Sequence, residues 1–192
     1  TIDTILLVIG VSLLLSFYLI KFIPQNQDKR TYFNAIALMA GVELLIIRVG
    51  LLFLDVNYGN SGEVVLSLQY SAVPMTVATI LASILFNKNS GLMLSVFFSI
   101  YIGVVTDFNL IASIGTLITG GTAAFIGDNV RYRKDFLMLA IWMMLVNSLA
   151  VLMSTIAVHE MALTKLSHAL LFANSDALIS VLFVSLLLPL FE

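Results

Sequence analysis

The sequence contains no cysteine, three prolines, two histidines and few charges, with nine basic and eleven acidic side chains among 192 residues. Without cysteine there is no disulfide framework, no thiolate metal site and no thiol nucleophile. Only 10% of the residues are charged and 60% are hydrophobic, against roughly 25% and 45–50% in an ordinary soluble domain. So few charges cannot coat a protein of 21.0 kDa, and the apolar surface must face lipid. The net charge of −2 lacks the basic face or stripe of a nucleic-acid binder. No basic region and no small-residue cleavage pattern frames the first apolar run, which excludes a signal peptide.

What the chain does have is a series of apolar stretches of spanning length. A crossing helix needs about 20 apolar residues, so a chain of this size holds at most about seven or eight. The pattern predicts seven helices, at about Ile5–Ile23, Asn34–Leu54, Ser71–Phe86, Gly91–Val105, Leu110–Ile126, Phe136–Val158 and Ala169–Leu190. Backbone polar groups in lipid must be satisfied within a segment, and no alternating ten-residue strand pattern recurs, so an all-α bundle is expected rather than a barrel. The whole of residues 1–192 reads as one transmembrane domain. Because it opens and closes on hydrophobic segments, it is expected to belong to a longer protein.

Basic residues set the expected orientation. One alternate set of loops holds Lys21, Lys29, Arg30, Lys88, Arg131, Arg133 and Lys134, the other holds Lys165, and Arg48 lies inside a span. This positive-inside bias places the amino end outside and the carboxyl end in the cytoplasm. Tyr32, Phe33, Tyr58, Tyr70 and Tyr132 fall near the borders, where an aromatic belt would form. Trp142 lies deeper and reads as a packing residue.

Ionisable groups inside spans are costly unless paired or hydrated, and so point to function. There are three: Glu43, Arg48 and Asp176. Glu43 and Arg48 are five residues apart on one helix, about 140° around its axis, so they do not face each other. Their depths, at ~1.5 Å per residue, make an Arg48–Asp176 ion pair feasible and leave Glu43 without an assigned partner. Asn147 and Ser154 on the sixth expected helix, with Asn174 and Ser180 on the seventh, lie at comparable levels. The expected polar centre among helices two, six and seven is either an interhelical fastening or a pocket for a small polar ligand or ion. The fifth helix carries Ala112, Thr116, Gly120 and Ala124 at four-residue spacing, a smooth stripe on which backbones approach closely. It fits tight packing within the bundle, a homodimer seam or a sliding surface.

Enzyme motifs fail on inspection. His159-Glu160 lacks the second histidine of a zinc face, since Leu163 stands in its place, and His168 has no companion ligands. The paired glycines Gly120 and Gly121 are not followed by the residues of a phosphate loop. No cofactor is expected in this segment.

Three stretches taken together resemble a known family. Ser71-Ala72-Val73-Pro74 opens the third helix, Val130-Arg131-Tyr132-Arg133-Lys134-Asp135 follows the glycine-rich fifth, and Leu187-Leu188-Pro189-Leu190-Phe191-Glu192 closes the sequence. Their order and spacing resemble the membrane domain of the bacterial 7TM receptors with an intracellular HD hydrolase. The resemblance implies an extracellular domain before the bundle and a cytoplasmic HD phosphohydrolase after it, similar to phosphodiesterases that degrade cyclic di-AMP. Divalent metal ions would belong to that hydrolase, none of whose catalytic residues lies in this sequence. Pro74, Arg131, Arg133, Asp135, Pro189 and Glu192 are the positions the resemblance carries over, with architectural roles, and Pro189 and Glu192 would transmit the signal. The expected function is a sensor and transmission domain in a bacterial inner membrane, with a homodimer as one expected assembly. The alternative is a substrate-binding membrane subunit of a vitamin-type importer.

Overall fold

The computed structural model describes residues 29–58, 76–106, 108–157 and 163–191. Among the described residues the elements are six α-helices and no strand: α1 (Lys29–Tyr58), α2 (Val77–Leu85), α3 (Lys88–Val105), α4 (Leu110–Gly127), α5 (Arg133–Ala157) and α6 (Leu163–Phe191). All but α2 are long and apolar enough to cross a membrane. The helix expected at Ile5–Ile23 lies outside the described residues, as do Pro74, Tyr70 and Glu192.

Several helices run beyond their apolar cores, because polar turns at the headgroup level still satisfy their backbone as helix. Local capping explains where they start. The side chain of Asn87 accepts a hydrogen bond from Ser90 N, so α3 begins at Lys88 and reaches 18 residues rather than the shorter span expected. Asn109 Oδ1 accepts from the amides of Ile111 and Ala112 and opens α4. Asp135, in the first turn of α5, reaches back to accept from the amides of Arg131 and Tyr132 at 2.9 and 2.7 Å. Each device answers N–H groups that the first turn of a helix leaves open. At the other end of the α3–α4 hairpin, exposed Phe108 takes the left-handed conformation, φ 62°.

The third expected helix differs most. Its described part is Val77–Leu85, while residues 71–75 lie outside the described residues; at nine residues α2 is only about 13.5 Å long, roughly half the hydrocarbon thickness. Every residue from Thr76 to Ser83 is buried. Helices α1, α3, α4 and α6 all pack on α2, while α5 packs on α4 and α6. This short helix is therefore the axis of the bundle, and its first turn lies well inside the protein.

The small-residue stripe of α4 is turned inward. Ala112, Thr116, Gly120 and Ala124 are all buried, and the contact is with α3: Ser95 Oγ donates to the Leu117 carbonyl at 3.2 Å and Ser99 Oγ to the Ser113 carbonyl at 2.7 Å. A Cβ on Gly120 would run into Ser95, and one on Gly91 into Ser83 Oγ and the Thr79 carbonyl of α2. Close backbone approach of this kind is what small residues permit between helices in lipid.

One end of the bundle collects the basic residues. The Tyr32 hydroxyl hydrogen-bonds Ser90 Oγ, joining the start of α1 to the start of α3. Lys88 N donates to Asp128 Oδ1 just past α4. Arg30, Lys88, Arg131 and Lys134 thus lie around one rim, where α6 also ends. Tyr32 departs from the expected aromatic belt: it is buried, edge-on to Phe86 with ring centroids 4.5 Å apart. Tyr132 is exposed beside Lys134. Trp142 points outward rather than into the packing, as do Leu45, Leu137, Leu171 and Leu186; such side chains form the lipid-facing surface. Pro189 lies inside α6, which continues to Phe191, so the proline does not terminate the helix.

Packing at the glycines gives a direct expectation. Gly91→Ala should lower stability by about 1–3 kcal/mol through overpacking. Gly115, which has nothing within 4 Å of a built Cβ, should accept alanine without loss. Thermal melting of the two variants in detergent checks this.

Candidate functional site

The polar residues of the interior meet near the middle of the spans. Glu43, Asn147 and Asp176 each lie within three residues of the centre of an apolar window, at Arg30–Gly50, Lys134–Ile156 and Leu166–Pro189. All three are buried. Glu43 is aimed inward because it sits on the packed stripe of α1, with Ile36, Met39, Ala40 and Ile47. Arg48, about 140° away, is necessarily turned off that stripe, and it is exposed.

Glu43 finds its partner in the backbone. Its Oε2 accepts a hydrogen bond from Ala78 N at 3.2 Å. A carboxylate delivered by one helix thereby caps the N-terminus of another. The open amides of α2 and its dipole, equivalent to roughly half a positive charge, are the favourable end for an anion.

Asp176 is held from two sides. Asn147 Nδ2 donates to its Oδ2 at 2.9 Å and also to the Ala173 carbonyl at 2.9 Å. Ser180 Oγ donates to Asp176 Oδ1 at 3.2 Å from the next turn of α6. At the adjacent position Ser148 Oγ donates to Asn174 Oδ1 at 3.1 Å. These bonds fasten α5 to α6 at one level. Glu43 and Asp176 both lie near the middle of their spans.

Of the residues expected at the polar centre, Asn147, Asp176 and Ser180 are joined by hydrogen bonds, Asn174 is bonded to Ser148 at the adjacent position, and Glu43 is bonded to the start of α2. The expected Arg48–Asp176 ion pair is not formed, since Arg48 is exposed while Asp176 is buried and bonded to Asn147 and Ser180. Ser154 bonds its own helix at Val151 O and stands apart. Thr76 and Thr79, at the start of α2, escaped notice because threonine inside an apolar run reads as ordinary helix. Their proximity to Glu43 needs the fold.

Not every polar atom here is answered. Among the described residues, Glu43 Oε1, Thr76 Oγ1, Thr79 Oγ1 and Asn147 Oδ1 are buried without a hydrogen-bond partner. A buried oxygen left in that state is unfavourable by about 1–3 kcal/mol. The four belong to the residues that make or flank the centre. Among the described residues no three His, Cys, Asp or Glu side chains gather as a metal-binding group.

Two substitutions test this geometry. Glu43→Ala should cost about 1–2 kcal/mol by uncapping α2, and Glu43→Gln, which keeps an acceptor oxygen, should recover much of it. In a second cycle, Arg48→Gln and Asp176→Asn should be additive within about 0.3–0.5 kcal/mol, whereas Asn147→Ala and Asp176→Asn should couple by more than that. Melting midpoints of the single and double variants give both results.

Compared with known protein families, the chain matches the one described as 7TM receptor with intracellular HD hydrolase, over residues 1–192. No curated protein and no solved structure matches it.

Proposed function

Given that the chain belongs to the 7TM receptors with an intracellular HD hydrolase, we propose that it is the membrane-embedded sensor and transmission domain of such a receptor. It takes up a signal from outside or within the bilayer and passes it to a cytoplasmic HD-type phosphohydrolase that degrades cyclic di-AMP. In this reading the bundle crosses a bacterial inner membrane seven times, with its amino end outside and its carboxyl end inside. Its partners are the lipid bilayer, a fused extracellular domain and the fused HD domain, and a homodimer is an accessible assembly. The divalent metals of the reaction belong to the hydrolase.

The observation that carries the reading is the polar fastening of α6. This last helix leads toward the carboxyl end, and its one buried carboxyl, Asp176, is held by Asn147 of α5 beside the Glu43 cap of α2. Apolar side chains in lipid slide past one another with little preference for register. Directional hydrogen bonds in a dry interior select a register, and a signal acts by favouring one arrangement over another. From Asp176 to Phe191 is about 22 Å along the axis, so a rotation or shift of α6 at the centre is delivered whole to its cytoplasmic end. Pro189 leaves the Ser185 carbonyl without its helical N–H partner, so the last turn before the hydrolase bends most readily.

In the full-length receptor, Asn147→Ala and Asp176→Asn should each change the rate of cyclic di-AMP hydrolysis in membranes by about fivefold or more, the lower range of allosteric coupling. Exposed Leu149→Ala should leave it unchanged. Unaltered rates in folded, membrane-inserted variants would overturn the transmission reading. A reporter fused after Glu192 and found outside the cell would overturn the topology.

A further inference from the structure

We propose that the basic rim at the start of α3 and the α4–α5 turn is a docking surface for anionic phospholipid headgroups, held chiefly by Lys88, Arg131 and Lys134. The inference rests on the proposed placement of the bundle in a bilayer and not on signal transmission. Its first support is charge. Six basic residues belong to this rim, Lys29, Arg30, Lys88, Arg131, Arg133 and Lys134, against two acids among the described residues, Asp128 and Asp135. Both acids are engaged by backbone. Asp128 Oδ1 accepts from Lys88 N at 3.1 Å, and Asp135 Oδ2 accepts from Arg131 N and Tyr132 N. They fix the turns that carry the cations and leave positive charge in excess. Lys88, Arg131 and Lys134 are exposed, and basic clusters beside membrane spans attract anionic lipid.

The second support is the ring beside each lysine. Lys88 Nζ lies 6.0 Å from the centroid of Phe125, and Lys134 Nζ lies 5.8 Å from that of Tyr132. Both rings are exposed. Phe125 is three residues before Asp128, about 4.5 Å further into the bundle along α4. An exposed ring below an ammonium group offers an apolar surface to an acyl chain and a positive charge to the phosphate above it, the order in which a phospholipid presents them. Setting topology needs only the number of charges and requires neither the rings nor fixed turns. The turn is pinned to the bundle, since Val130 is buried and its N–H donates to the Gly127 carbonyl at 3.0 Å. Arg131, three residues past Asp128, is at most about 11 Å from it by chain length, so the aspartate that bonds Lys88 N also keeps Arg131 in the neighbourhood. An acidic face of the HD domain would match the same charge, but Phe125 lies on the outward surface of a span, which favours lipid.

The chain is melted in nanodiscs of phosphatidylcholine and in nanodiscs of phosphatidylcholine mixed with phosphatidylglycerol. Phosphatidylglycerol should raise the midpoint by about 2–4 °C at low salt, and the rise should shrink at high salt. Lys88→Gln combined with Arg131→Gln should remove most of the rise, Lys88→Arg should keep it, and Lys165→Gln, at the opposite end of the bundle, should leave it intact. A chain that folds in phosphatidylcholine yet melts alike in both discs would overturn the docking surface and leave the membrane placement standing. A chain that inserts in neither disc would overturn both. A rise that survives the double variant, or that Lys165→Gln removes equally, would overturn the proposal, as would an equal rise from inorganic phosphate in phosphatidylcholine discs. In the full-length receptor the same rise is expected, and its disappearance there would mean that the HD domain covers the rim instead.

Discussion

A carboxyl group can be carried to the middle of a bilayer only if the protein answers it there, and in this bundle the answer is a helix end. Glu43 of α1 accepts from Ala78 N in the first turn of α2, and that contact makes sense of the fold around it. A nine-residue helix beginning inside the protein has open N–H groups that lipid cannot satisfy. Without an acceptor from another element, α2 could not begin where it does. The acid and the half-helix are each unfavourable alone, and they are compatible because each supplies what the other lacks.

Placing a short helix on the axis has a steric consequence, since four other helices must reach it. The chain meets this with small residues. Gly91 lets α3 touch α2 at Thr79 and Ser83, Gly127 brings α4 against Ile80 and Ser83, and Gly120 lies on Ser95. Where backbones approach this closely, serine hydroxyls become the spacers, bonding carbonyls of the neighbouring helix as Ser95 and Ser99 do. The four-residue stripe on α4 is accordingly internal, and the outward surface of that helix is formed instead by residues such as Ile114, Leu117 and Phe125.

Much of this was legible in the sequence, and what was not has identifiable causes. Long apolar runs located α1, α3, α4, α5 and α6 because spanning length is dictated by the bilayer. That a helix starts afresh at Val77 was not legible, because a helix buried on every side has no polar face to mark it off. Asp176 and Asn147 stood out as polar letters in apolar spans, and their shared depth followed from helix geometry. Glu43's partner did not, since a backbone amide is the same at every position of a sequence. The pairing of Arg48 failed on rotation rather than depth. The five-residue spacing showed that one of Glu43 and Arg48 must turn away, and Glu43 lies in register with Ile36, Met39, Ala40 and Ile47. On a helix apolar almost all round, however, that stripe has little contrast with the lipid face.

The same asymmetry bears on how the interior fixes the register of its helices. An apolar interface in lipid gains little by choosing one register, because the alternative neighbour is equally apolar. The polar contacts remove that indifference: Asn147 reaches both Ala173 O and Asp176 Oδ2 only when α5 and α6 stand at one rotation and one height. A small displacement would strand a carboxylate and an amide together, so positions away from this register are unfavourable. In the transmission proposed for this domain, any influence on how well Asp176 is satisfied bears directly on α6, a continuous helix with its proline near the far end.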